Sequence, residues 1–195
     1  MSLREKKIAQ KQKDILRSAA KILANKGYHG TTMEEIAANL LMTKGAMYYY
    51  FKNKEDLLYQ CHQMVMDESL KRIQKIFNST HTPDKKLSMA IKSHIELLTN
   101  EKSIFMVMDK PSQYFSGAHL EEITGLRRKY ATYFDLILQD GIDQKIFSEF
   151  HVPTIRMIIL GALNWIQQWY QTDGEKSSEE IAEIFSTYLL KMVKK

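Results

Sequence analysis

The sequence predicts an all-α fold: a three-helix head with a helix-turn-helix, followed by a helical body, about nine helices together. Three observations predict it. No stretch alternates apolar and polar residues as a half-buried strand requires. Only 8 Gly and 3 Pro interrupt 195 residues. Apolar residues recur at three- and four-residue spacing behind recognisable helix start signals.

The first helix starts within a basic lead-in of Arg4, Lys6, Lys7, Lys11 and Lys13. Ile15, Ala19, Ile22 and Leu23 form its stripe, and Asn25-Lys26-Gly27 stops it, with Gly27 at the left-handed position. The lead-in lysines either follow a DNA backbone or form a solvated face. Next, Thr32 and Glu35 make a capping box, and Ile36, Ala37 and Leu40 give one apolar stripe, so a short helix runs to Leu40 or Leu41. Thr43 caps a second short helix through Phe51, and Asn53 caps a third with Asp56 in its first turn. Two short helices across a tight turn are a helix-turn-helix, whose second helix can enter a major groove.

The chemistry of that second helix fits groove entry. Lys44 opposes the macrodipole in the first turn, which makes sense beside a phosphate. Gly45 and Ala46 are small enough for close backbone approach. Met47 and Phe51 are four apart and supply the buried face. Tyr48, Tyr49 and Tyr50 lie about 100° apart, so at least one points outward to a phosphate or a thymine methyl. Lys54 is a further phosphate candidate. The expected DNA-contacting set is Thr32, Met33, Thr43, Lys44, Gly45, Ala46, Tyr48, Tyr49, Tyr50 and Lys54.

Gly27 to Ala37 (G-Y-H-G-T-T-M-E-E-I-A) and Thr43 to Leu57 (T-K-G-A-M-Y-Y-Y-F-K-N-K-E-D-L) resemble the DNA-binding end of the TetR family of repressors. The likeness is close over roughly the first 60 residues; beyond them the family shares architecture more than sequence. It implies a dimeric regulator that binds double-stranded operator DNA and a small-molecule effector. Family members often carry His where this chain has Tyr50, so a backbone contact made by that His is lost or taken by the phenol hydroxyl.

Charge agrees with this division. Residues 1–54 hold 11 Lys+Arg against 4 Asp+Glu, a net +7, while the rest of the chain nets −2. A basic head on a nearly neutral body is the electrostatic footprint of a nucleic-acid-binding module, although a basic solubility arm would look the same by charge alone. The expected domains are therefore 1–54 for DNA binding and 55–195 for effector binding and dimerisation.

In the body, a long helix from Glu55 to about Asn78 carries Leu57, Leu58, Cys61, Met64, Val65, Leu70, Ile73 and Ile76. Ser79 to Asp84 breaks it. A helix from Leu87 to about Thr99, a short one over Ser103–Asp109, a loop over Pro111–His119 and a long helix from Leu120 to about Lys145 follow. Pro153 opens a helix through Tyr170 that is apolar nearly all round. Ser177 and Glu180 box the last helix, with Ile181, Ile184, Phe185, Tyr188, Leu189 and Met192 on one stripe. One core does not hide all this surface. Two copies forming a four-helix bundle would, through Ile158, Gly161, Ala162, Ile166, Ile181, Ile184, Phe185, Tyr188 and Met192.

Methionine suits an adaptable apolar pocket better than a rigid core, and most of the 11 Met lie in the body. Met64, Phe105, Met108, Tyr114, Phe115, Tyr133, Trp165 and Trp169 are the candidate effector-binding residues, with Arg127 and Arg128, beside Lys129, for an anionic group. Asn164, inside an apolar helix, needs a partner: a neighbouring helix, the dimer mate or the effector. Asn164-Trp165, Gln168-Trp169-Tyr170, Gly174 and S-x-E-E-I-A resemble the tail of the family's acyl-CoA-responsive branch, which implies an acyl-CoA-like effector.

Other classes are disfavoured. The histidines (His29, His62, His81, His94, His119, His151) form no i, i+4 pair and have no Cys partner, so no metal site or cofactor motif is legible. No Gly-rich phosphate loop or Ser-centred elbow suggests an enzyme. Cys61 alone permits no intrachain disulfide. No apolar run approaches the ~20 residues of a membrane span, and the lysine-rich start lacks a signal-peptide core, so a cytoplasmic protein is expected. The alternative within DNA binding is an architectural or partner-binding helical protein with no small-molecule switch.

Overall fold

The computed structural model describes residues 2–195, and among these the fold is all-α. The helices are α1 (Leu3–Lys26), α2 (Met33–Asn39), α3 (Lys44–Tyr50), α4 (Lys54–Phe77), α5 (Pro83–Asn100), α6 (Lys102–Val107), α7 (Gly117–Asp143), α8 (Val152–Trp169) and α9 (Ser178–Val193), with a 3-10 turn at Pro111–Gln113. One isolated antiparallel bridge joins Phe147 and Lys194. Among the described residues no helix is long and apolar enough to cross a membrane. The chain divides into two compact units, Met1–Val65 with Ser103–Ile123, and Met66–Lys102 with Thr124–Lys195. The divisions fall inside α4 and α7 and after the first residue of α6.

In the first unit, helix starts are set by side chains that satisfy amides left without a carbonyl partner. Thr32 and Glu35 cap α2 reciprocally, Thr43 accepts from the Ala46 amide at α3, and Asn53 accepts from Asp56 at α4. Ser2 and Glu5 form a further box, so α1 begins before the basic lead-in ends and carries its lysines on helix. Gly27 ends α1 with φ +80°. Ile15, Leu16, Ala19, Ala20 and Leu23 of α1, Met33, Ile36 and Ala37 of α2, and Met47 and Phe51 are all buried. Full burial of Met47 and Phe51 is what their four-residue spacing requires.

The second unit is built on α5, which packs against both α8 and α9. Leu87, Ala90, Ile91, Ile95 and Leu98 are fully buried there, together with Ile159, Leu163 and Ile166 of α8. The hydroxyls of Ser88 and Ser186 meet at 2.7 Å inside this packing. Gly141 of α7 lies under the Phe147 ring so closely that a Cβ would stand 2.0 Å from ring carbon Cδ2. The stretch after Pro111 differs from the expected loop. Pro111 starts a 3-10 turn, and α7 begins at Gly117, whose φ of +52° suits glycine, three residues before Leu120.

Candidate nucleic-acid interface and effector region

The helix-turn-helix consists of α2, α3 and the turn between them. Leu41 occupies that turn with φ +53° and is 97% exposed. A branched side chain rarely adopts this conformation. On α3, Thr43, Lys44, Gly45, Tyr48 and Tyr49 are exposed, Ala46 is half-buried, and Tyr50 is half-buried with its ring against Tyr49 and Phe51. Tyr49, at 73% exposure, stands furthest into solvent of the three tyrosines; Tyr48 is at 41%. Thr32 is exposed at the start of α2, whereas Met33 packs into the head.

Two lysines of the expected set are held differently. Lys44 Nζ lies 2.8 Å from Glu34 Oε1 and 5.7 Å from the Tyr48 ring centroid. The hydrogen bond between them lowers the Glu34 carboxyl below its ordinary range and raises the Lys44 ammonium. Both side chains stay solvated, so an incoming phosphate competes for Lys44 on even terms. Lys54 is engaged inside the head. Its ammonium donates at 2.6 Å to the Tyr28 carbonyl and at 2.6 Å to the Thr31 carbonyl, and lies 4.3 Å from the Tyr28 ring centroid. It thereby ties the segment between α1 and α2 to the start of α4.

The candidate effector residues fall into both units. Met64, Phe105, Met108, Tyr114 and Phe115 belong to the first. Tyr114 stands against Tyr28 and His29, with ring centroids 4.9 Å and 6.4 Å away. Buried Phe115 meets Tyr59, His62 and His119, and His119 Nδ1 is 3.1 Å from Glu55 Oε1. Met108 is buried, and Met64 and Phe105 are half-buried. Segment 103–123 is thus bonded to the head's own residues, which the sequence alone did not indicate.

Arg127, Arg128, Tyr133, Asn164, Trp165 and Trp169 belong to the second unit. Arg127 is half-buried and Arg128 exposed, and Tyr133 meets Phe77 edge to face at 5.5 Å. Asn164 is exposed on α8 and stands near enough to His94 of α5 to favour its charged form. His94 Nδ1 is also 3.1 Å from the Tyr130 hydroxyl. Burial pulls the His94 pKa down to about 4, against the opposing effect of Asn164, and burial raises the Tyr130 phenol above its ordinary value. Neither residue was singled out from sequence. A lone His on the apolar stripe of α5 was the available signal.

Trp165 (65% exposed) and Trp169 (44%) lie on the same open face of α8 as Met157, Ile158 and Gly161. Ile184, Tyr188 and Met192 expose the matching side of α9. Trp169 stacks on half-buried Phe185, and the two line an apolar pocket of about 460 Å³ at the α8–α9 connection. Of the other expected interface residues, Ile166 and Ile181 are buried within the unit and Ala162 is half-buried.

Residues 15–61 match the family described as bacterial regulatory proteins, tetR family, and residues 80–193 match the tetracyclin repressor-like C-terminal domain. The chain belongs to the TetR family of transcriptional regulators. Among its relatives is the fatty acid metabolism regulator protein of Bacillus subtilis, 26% identical over 165 residues, covering 84% of this chain and 85% of that one. Among solved structures, the TetR family regulator PfmR from Thermus thermophilus superposes with a TM-score of 0.84 at 26% identity, covering 91% of this chain and 97% of its own. AibR, in complex with isovaleryl coenzyme A and operator DNA, gives 0.81 at 25% identity, covering 92% and 97%. The family and these relatives are regulators, not enzymes.

Proposed function

We propose that this protein is a one-component, cytoplasmic transcriptional repressor that binds a near-palindromic operator as a homodimer and is released by a small lipophilic effector of the acyl-CoA class. In this reading residues 1–54 bind DNA and residues 55–195 bind effector and dimerise. The observation that carries it is the outer surface of α3. Lys44, Gly45, Tyr48 and Tyr49 are presented to solvent on a helix whose other side, Met47, is fully buried. That is the division a recognition helix needs, with a packed side to hold it and a polar, small-residue side to enter the groove. Two such helices on a two-fold axis read half-sites about 34–36 Å apart.

Dimerisation is supported by the open row of Met157, Ile158, Gly161, Trp165 and Trp169 on α8 with Ile184, Tyr188 and Met192 on α9. A contiguous apolar row is costly to leave in water. The Tyr188→Glu substitution would place a charge in the middle of it. Sedimentation is expected to give a dimer for the unaltered protein and a monomer for this variant; a monomer in both cases rules out the interface. The effector class is supported by AibR, solved with isovaleryl coenzyme A, and by the Bacillus subtilis relative.

The deciding experiment is fluorescence anisotropy on DNA from upstream of the protein's own gene, with excess unrelated DNA and with or without pooled acyl-CoAs. The expected result is competitor-resistant binding that the pool abolishes. Binding untouched by the pool removes the effector class and leaves the repressor. Equal weak binding to both DNAs favours an architectural protein.

A further inference from the structure

We propose that the cleft between the end of α4 and the middle of α7, walled by Phe77 and Tyr133, seats the nucleotide end of the effector, a purine base with its phosphates. The inference rests on the acyl-CoA reading above and adds a location and a set of contacts to it.

The cleft has a volume of about 340 Å³, within the range of small-ligand sites (roughly 300–1,000 Å³). Phe77, Tyr133 and Leu136 supply apolar wall, and Leu136 is 44% exposed although its neighbours Ile137 and Leu138 are fully buried. Aromatic and aliphatic surfaces of this kind accept the face of a planar base. Polar groups stand at the rim. The exposed Asn78 side chain offers a donor and an acceptor together, the pairing that reads an adenine edge. Thr132 is committed elsewhere, since its hydroxyl donates to the Arg128 carbonyl at 3.0 Å.

Charge at the cleft has one sign. Lys129 lines it, and Lys86 Nζ lies 5.5 Å from the Phe77 ring centroid. Among the described residues neither lysine has a carboxylate partner, whereas Lys92 and Lys194 of the same unit are paired with Glu183 and Asp84. Two unpaired ammoniums beside an aromatic wall fit a ligand that is flat at one point and phosphorylated beside it. A simple fatty acid would use the apolar wall and one lysine but leave the amide idle. A thioester lacking the nucleotide would bring neither a base to the aromatic wall nor a phosphate to the lysines.

The test compares acyl-CoAs with the matching acyl-pantetheines, which lack the nucleotide, by calorimetry on the whole chain. Lys129→Glu and Leu136→Glu are the variants, both at exposed positions where folding tolerates change. The unaltered protein is expected to prefer the acyl-CoA about tenfold or more, from base stacking and phosphate contact. Either variant is expected to collapse that preference toward one, chiefly by weakening acyl-CoA binding. Adenosine 3′,5′-bisphosphate should compete with acyl-CoA on the unaltered protein and lose that ability on the variants. An equal affinity for both ligands, or a preference the variants leave intact, overturns the cleft assignment while the acyl-CoA reading stands. Binding of neither ligand overturns both.

Discussion

Replacing Lys54 by Met distinguishes a lysine that holds the head together from one that holds DNA. The ammonium donates to two carbonyls at 2.6 Å each and sits 4.3 Å from the Tyr28 ring centroid. Methionine keeps much of the stem's packing and deletes the charge. Hydrogen bonds to a charged group contribute about 1.5–3 kcal/mol each, and partial exposure of Lys54 favours the low end. A cation–π contact adds about 0.5–1 kcal/mol. The summed loss is about 3 kcal/mol, with water partly re-solvating the Tyr28 and Thr31 carbonyls. At this chain length 1 kcal/mol moves Tm by roughly 2–4 °C, so Lys54→Met should melt about 6–12 °C lower by circular dichroism. The salt dependence of operator binding, measured below the melting range, should keep its slope. An unchanged Tm with a slope reduced by about one phosphate contact would refute the argument and return Lys54 to the DNA.

Two further outcomes follow from the second unit. The buried His94 imidazole has its pKa lowered to about 4, against about 6.5 when unfolded. Between those values the unfolded chain binds more protons, so His94 makes folding stability fall as pH drops from about 6.5 to 4, by up to roughly 3 kcal/mol. Urea unfolding across that range should show this slope, and His94→Gln should flatten it; an unchanged slope in the variant would assign it to other groups. Gly141→Ala drives a methyl to 2.0 Å from the Phe147 ring and should cost about 3 kcal/mol in urea unfolding, with recovery when Phe147→Leu is added. A neutral effect would mean that the ring has room to turn.

Much of the fold was legible because its signals are local. The capping boxes at Thr32/Glu35 and Ser177/Glu180 operate over three residues, and the Met47/Phe51 pair over four, so spacing alone specifies them. The recognition helix was readable for the same reason. The roles of individual charges were not. Lys54 reaches carbonyls 26 and 23 positions earlier, and His94 meets Tyr130 36 positions later. No periodicity encodes such distances. Tyr114 and Phe115 read as pocket aromatics by composition, yet their neighbours in the first unit are Tyr28, His29, Tyr59 and His62.

What this sequence determined by itself is the all-α class, the order of its helices, the helix-turn-helix and the family. Each follows from amide capping, helical period or a contiguous motif. Tertiary structure alone decided which lysine stays at the surface and which is tied to the head's own carbonyls, which face of α8 stays open, and where a ligand-sized cleft with unpaired cations lies. Those depend on residues far apart in sequence being brought within hydrogen-bonding or van der Waals range, and side-chain energies fall off over a few ångströms rather than over residues.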